Sequence, residues 1–498
     1  MASNNVKRVA VIGAGISGVC SAAHLLKQGP EVILFERSGI AGGVWHFDER
    51  SALEPSYPNE NPSLGDYKTT LPHADDTPPP ESGEDLGLEI ILAPPGPCYA
   101  GLMNNVSTRL MKTSLLDWPE GTEDFVSQKV LEEYVQTIAD VHGVSAVARY
   151  HTRVEDVQKR GTEWVIRTTT LHKASFGSQL VQRQWIFDAI IVASGHYNMP
   201  RVPDFPGLQE WKHARPDRVW HSKGYRNPQL FKDQNILLIG AGVSSCDIAK
   251  ESSAYAQHIF QSSRGGALDL PASILPNNAT RVGGIKSFEL DERRLDEKSS
   301  DSDPIPGKII LDDGQELTNI HSVVLCTGYI ISYPFLPNLH SDTTPAHQAD
   351  ESVLVTADGN MVHNLYKDIF YIEDPSLIFV GVPYHISTFS FFDMQAQSVA
   401  RVLGGKASLP TQQEMRDDYA QRVKRSALGR DFHSLRGSNE EQAYVADLVE
   451  WMNRDAVRLG IEDKMQGHTP EWHEAKKDME EKLKWLRDRP PKQGISQI

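Results

Sequence analysis

The sequence predicts an α/β protein with two Rossmann-like dinucleotide-binding domains, the first discontinuous in the chain and the second inserted into it. Three observations predict this. A strand–glycine–helix–strand unit opens the chain, and a second copy of the same grammar occupies residues 231–261. Each copy is followed by an apolar strand that ends in a small residue and a glycine, Ser194-Gly195 and Thr327-Gly328. Apolar strands that alternate with helices specify parallel sheets covered on both faces.

The elements follow in order. Residues 7–12 read as a buried strand, 16–28 as a helix and 31–36 as a second strand. Residues 48–97 break the pattern. They are rich in Pro, Asp, Glu, Ser and Asn, as in HADDTPPPESGEDLG, and read as a long irregular surface excursion with no assigned chemistry. Residues 125–142 show helical periodicity, and 148–170 and 180–193 read as strands. A Pro-rich link at 199–207 precedes the second unit. Within that unit FKDQNILLIGAGVSSCDIAK spans strand, glycine turn and helix, and 257–261 reads as the next strand. Residues 319–328 are another buried strand, and 410–492 read as mostly helical. The expected domains are 1–206 and 331–498 for the first nucleotide site, with 207–330 inserted for the second.

Composition excludes several classes. With 39% hydrophobic and 23% charged residues the chain can bury a large core, which excludes global disorder. A formal net charge of -16 argues against nucleic-acid binding, which needs Lys and Arg to neutralise phosphates, and against an anionic membrane surface. Four well-separated cysteines, with no C-x-x-C, read as buried free thiols of a reducing compartment and count against a disulfide reductase. The N-terminal apolar run leads directly into a glycine motif, so it reads as a strand and not a signal peptide. No apolar stretch reaches the ~18–20 residues that span a bilayer, so a cytoplasmic protein is expected. His and Cys spacings give no metal site, and a monomer and a homodimer both stay open.

The first motif is Gly13-Ala-Gly15-Ile-Ser17-Gly18. Gly13 permits the tight turn, Gly15 lets backbone N–H groups approach a pyrophosphate, and Gly18 permits close helix–strand packing. Glu36 ends the next strand, where an acid takes ribose hydroxyls. Gly42-Gly43-Val44-Trp45 follows, with backbone able to pass close to a bulky ligand and an indole to cover it. The second motif is Gly240-Ala-Gly242-Val-Ser244-Ser245. Its following strand carries no terminal acid but Gln261-Ser-Ser263-Arg264, where Arg and Ser suit a 2′-phosphate. An acid at one site and an arginine at the other make FAD plus NADPH the economical pairing.

These motifs, with Tyr99-Ala-Gly-Leu102-Met-Asn-Asn105, Asp117-Trp-Pro119, Phe205-Pro-Gly207, His221-Ser222-Lys-Gly-Tyr225, Cys326-Thr327-Gly328-Tyr329 and Phe391-Phe-Asp393-Met-Gln395, resemble the flavin-containing monooxygenases. The resemblance covers most of the chain and points to the nitrogen- and sulfur-oxygenating type. It implies FAD and NADPH as cofactors, molecular oxygen as co-substrate, and a small-molecule amine, sulfide or thiol oxygenated through a C4a-hydroperoxyflavin. It implies that Asn105 sits beside the flavin as the catalytic amide and that Gln395 reaches the ring from a helix N-terminus. Leu102, Ser194, Gly195, Ser222, Tyr225, Thr327 and Gly328 join the cofactor contacts, and His221 is either an acid–base group or a structural tie between domains. The chain departs from the family fingerprint at Arg215 and Asp217, where Phe and Gly are usual, and at Ser107. Tyr225 stands where ketone-oxygenating Baeyer–Villiger enzymes tend to carry Trp. A Baeyer–Villiger oxygenase, an uncoupled NADPH oxidase and a non-catalytic nucleotide-binding redox sensor are the competing readings.

Overall fold

The computed structural model describes residues 6–67, 84–174, 177–266, 269–291, 293, 302–437 and 439–488. Residues 68–83 of the predicted excursion and 489–492 of the predicted helical tail lie outside the described residues.

Two parallel sheets organise the chain. The first runs, from edge to edge, Leu365–Tyr366, Phe370–Tyr371, Leu377–Phe379, Ala189–Val192, Arg8–Ile12, Glu31–Phe35 and Ala148–Arg149. Its centre is parallel, with Val9–Ile12 in register with Ala189–Val192 on one side and Val32–Phe35 on the other. Ala189–Val192 is buried along its whole length, as a strand covered on both faces must be. The second sheet is wholly parallel and runs Ala279–Val282, His258–Ser262, Asn235–Ile239, Ser322–Leu325 and Val219–His221. Strands of the first sheet come from both sides of the stretch that supplies the second, so one Rossmann-like domain is inserted into the other. The chain leaves and returns through a short antiparallel ribbon, Met199–Pro200 against Tyr329–Ile330.

The helix Ile16–Leu26 is buried from Ile16 to Leu25, because it is wedged between the first sheet and the long helix Phe389–Leu403. His24 Nε2 meets Asp393 Oδ1 at 2.6 Å across that interface, and Asp393 also accepts the Ser114 N–H. Gly18 is obligatory here, since a Cβ would stand 1.8 Å from the Gly13 carbonyl oxygen.

Observed elements keep to the predicted order. The predicted 148–170 and 180–193 strands resolve into an antiparallel sheet of Thr152–Arg160, Glu163–Ala174 and Gly177–Phe187, plus the central strand Ala189–Val192. The tail carries helices Gln412–Arg425, Glu440–Leu459 and Pro470–Asp488, the first of them opened by a Thr411/Glu414 capping box. The excursion contains a helix, Glu84–Leu92, whose Leu88, Ile91 and Leu92 pack on Leu171 and Leu180. Among the described residues no helix is long and apolar enough to cross a membrane.

Candidate active site

One continuous cleft of about 2130 Å³ runs between the two sheets and is walled by the C-terminal helical region. Pockets for one small ligand span about 300–1,000 Å³, so this cleft has room for two extended dinucleotides and a substrate.

Both helices that follow the glycine turns point uncapped N-termini at it. Gly15 and Gly242 are the N-caps, neither helix has a side-chain cap, and neither has an acid in its first turn. Free N–H donors and positive dipole ends without local anions are the requirements of a pyrophosphate site. At the first turn the backbones of two loops meet. A Cβ on Gly43, at φ +58°, would lie 2.7 Å from the Gly15 Cα, and Gly13 holds φ +106° against the Ala193 carbonyl. Glu36 accepts from the Ala14 N–H at 2.7 Å and the Ser38 N–H at 2.8 Å, which fixes its carboxylate at the cleft edge. Ser194 places on the same wall a buried hydroxyl with no hydrogen-bond partner among the described residues. The glycine cradle, the uncapped helix and the orphan hydroxyl fit FAD.

Of the other predicted residues, Gly13, Ser17, Val44, Trp45, Leu102, Asn105, Gly195, Gly240, Ser244, Ser263, Arg264, Thr327 and Gly328 all line the cleft. Arg264 lies exposed beyond the strand His258–Ser262 and makes no ion pair with a described residue. Ser263 instead donates its hydroxyl to Asp269 and accepts the Gly265 N–H.

The adjacent asparagines separate cleanly. Asn104 is buried and structural: its amide donates to the Val106 and Asp124 carbonyls and accepts the Val126 N–H. Asn105 is exposed to the cleft and its amide bonds to no described residue. Asn104→Ala is therefore expected to lower unfolding stability by about 2–3 kcal/mol through stranded buried groups. Asn105→Ala should keep the melting temperature and bound flavin but lose oxygenated product. Thermal melts and product assays on the pair separate the two roles.

Five predicted cofactor-site residues lie outside the cleft lining: Gly18, packed against the Gly13 carbonyl, and the four described next. Tyr225 is fully buried, stacked against Phe231, and donates to Glu251 at 2.6 Å, so it anchors the second nucleotide helix from behind. Ser222 is buried outside the cleft in the turn before it. Ser245 Oγ accepts the Gln261 amide and donates to Gly242 O. Gln395 is corrected most clearly. The helix begins at Phe389, so Gln395 sits inside it, fully buried, with its amide spent on Gly381 N–H and the Tyr444 hydroxyl. His221 is a structural tie: Nε2 donates to Gly328 O, Nδ1 accepts the Lys223 N–H, and burial pushes its pKa down to about 3.

The excursion 48–97 supplies unexpected wall residues. Asp66 pairs with Arg37 at 2.9 Å beside Glu36, and Arg50 links Asp48 to Glu89. No motif marks them, because their chemistry depends on where an irregular segment folds back. His196, Tyr197, Arg201 and Arg430 also line the cleft and were not anticipated. Burial holds His196 neutral, down to about 4.

Two uncapped nucleotide helices on one cleft, one cradle shaped for FAD, define a two-nucleotide flavoprotein oxidoreductase. The comparisons narrow this. A flavin-binding monooxygenase-like family model matches residues 96–274 and 302–464, and an FAD dependent oxidoreductase model matches 8–48. The chain belongs to the flavin-binding monooxygenase-like family and is an FAD-dependent monooxygenase, acting on a small molecule with oxygen. It is 44% identical to flavin-containing monooxygenase ustF2 of Aspergillus flavus, over 97% of this chain and 99% of that protein. It is 36% identical to ustF1 of the same organism, over 95% and 90% respectively. Among solved structures, the S-allyl-L-cysteine S-oxygenase from Allium sativum shares the fold with a TM-score of 0.66 at 23% identity, covering 97% of this chain and 95% of that one.

Proposed function

We propose that this enzyme uses NADPH to oxygenate a soft nitrogen or sulfur nucleophile, an amine, sulfide or thiol, of a small molecule. The observation that carries the NADPH reading is Arg264: an exposed guanidinium without an ion-pair partner among the described residues, at the cleft edge beside the second uncapped helix. Bound FAD would supply the redox chemistry, accepting electrons from NADPH and delivering them to oxygen. The chain's residues bind, orient and exclude water. The Gly240–Gly242 turn and its helix N-terminus hold the second pyrophosphate, and Arg264 holds the 2′-phosphate. Trp45, Phe389 and Phe392 present an apolar wall, and water exclusion there favours oxygen transfer over peroxide release. Asn105 offers a free amide to the reacting region. A nucleophilic substrate needs no protein nucleophile, and the cleft histidine His196 stays neutral at physiological pH.

Arg264→Ala should raise KM for NADPH by roughly 10- to 100-fold, the worth of a charge-assisted hydrogen bond, and leave KM for NADH nearly unchanged. Steady-state rates with both cofactors measure this. Equal losses would remove Arg264 from the phosphate site.

A further inference from the structure

Beyond the two helix N-termini and Arg264, the cleft holds a further cationic locus. Arg430 lies in the loop between helices Gln412–Arg425 and Glu440–Leu459 and reaches in against the interdomain ribbon: a Cβ on Gly328 would stand 2.7 Å from its Nη2. It makes no hydrogen bond or ion pair with any described residue. Arg201 meets it at the same glycine, its backbone N–H donating to the Gly328 carbonyl at 2.8 Å, and burial together with the Arg430 charge disfavours the charged form of its guanidinium. Arg201 bonds only neutral acceptors, Asn360 Oδ1 at 2.6 Å and the Asp358 carbonyl. Carboxylates near them are engaged elsewhere: Asp358 with Thr356 and Asn360, Asp431 with Arg436. Tyr197, 43% exposed, and Tyr329, its ring 5.2 Å away, complete an aromatic wall beside the pair.

Half-buried Arg201 beside exposed Arg430, neither in an ion pair with a described residue, is a locus of positive charge that an anion would neutralise. The dinucleotide phosphates already have places at the helix N-termini and at Arg264. We infer that Arg430 and Arg201 recognise a carboxylate on the substrate, so that the enzyme acts on amino-acid-like or other acidic amines and thioethers. The planar fork of Arg matches a carboxylate, and one free plus one half-engaged guanidinium suits a monoanion. This inference rests on the nitrogen- or sulfur-oxygenation reading for the reaction, while the anion site stands on its own geometry.

The test uses oxidised, FAD-loaded enzyme and two probes that differ only in charge, 3-(methylthio)propanoate and 3-(methylthio)propanamide. Flavin absorbance changes on titration report binding without turnover. The acid should bind roughly 10- to 100-fold more tightly than the amide, and Arg430→Gln should abolish that preference, with Arg430→Lys keeping part of it. Equal affinity for the two probes, no response to the acid, or a preference that survives in Arg430→Gln would overturn the site. A rise in the KM for NADPH without loss of acid preference would assign the pair to a cofactor phosphate instead. Tight acid binding with no oxygenated product would leave the anion site standing and refute the oxygenation reading.

Discussion

Gly15→Val is expected to purify colourless. The Gly15 Cβ position is 3.6 Å from the Gly43 Cα, an ordinary contact, so alanine fits there at little cost. The two branches of valine have no such space. They project into the gap where the Gly43 backbone and the uncapped helix N-terminus close on the pyrophosphate, and they push apart the two loops that form the cradle. Gly15→Ala should therefore keep most of its flavin, and Gly15→Val should lose at least about tenfold in FAD affinity, equivalent to ~1.4 kcal/mol or more. Absorbance of the purified proteins at matched concentration, with circular dichroism to show that both fold, reads the difference. Full flavin in Gly15→Val would mean that FAD does not lie across this turn.

Asp368→Ala is expected to cost about 3–5 kcal/mol of unfolding stability, the range for removing one partner of a buried ion pair. Asp368 is buried, and its Oδ1 accepts from Arg422 Nη1 at 2.5 Å and His433 Nδ1 at 2.8 Å. His433 Nε2 in turn accepts the Val362 N–H, so the imidazole bridges the carboxylate to the backbone. The three residues pin the loop that carries Arg430 to the first domain. Arg422 beside it holds the Asp368 carboxyl well below the ordinary carboxylate range. A depressed folded pKa gives stability that is complete above the unfolded value of ~3.9 and is lost as pH falls below it towards the folded pKa. Wild-type stability should thus carry an acid-labile component below about pH 4 that Asp368→Ala lacks, while both proteins stay flat with pH from this source near neutrality. Chemical denaturation at several pH values measures it, and an unchanged midpoint for Asp368→Ala would contradict the anchoring role.

What could be read from the residues alone was whatever is local. Both glycine turns, their strands and helices, and the positions of Glu36 and Arg264 at the strand ends follow from spacing over a few tens of residues, because strand, turn and helix N-terminus are contiguous in the chain. The asparagine pair shows the limit. Asn104 and Asn105 are chemically identical, and only the fold turns one towards Asp124 and Val126 and the other towards the cleft. Gln395 was misplaced because a resemblance transfers position but not helix register. The helix starts at Phe389, since Phe389, Phe391 and Met394 are drawn into the first core, and the same burial carries Gln395 inside with them. Tyr225 lies away from the cleft lining for a similar reason: its ring completes the core behind the second nucleotide helix. The Asp66–Arg37 pair and Arg430 are legible only in three dimensions, since each joins the cleft from a segment distant in sequence.

In the proposed reaction, electrons from NADPH and one atom of molecular oxygen meet a nitrogen or sulfur nucleophile in this cleft. The direct measurement is turnover of the FAD-loaded enzyme with NADPH under ¹⁸O₂, with a thioether and a tertiary amine as substrates, following NADPH, peroxide and labelled product together. One labelled oxygen in the sulfoxide or N-oxide is expected for each NADPH consumed, with little peroxide. NADPH consumption matched by peroxide, with no label in either product, would contradict it and make the protein an oxidase, and label found only in an ester formed from a ketone would move it to Baeyer–Villiger chemistry.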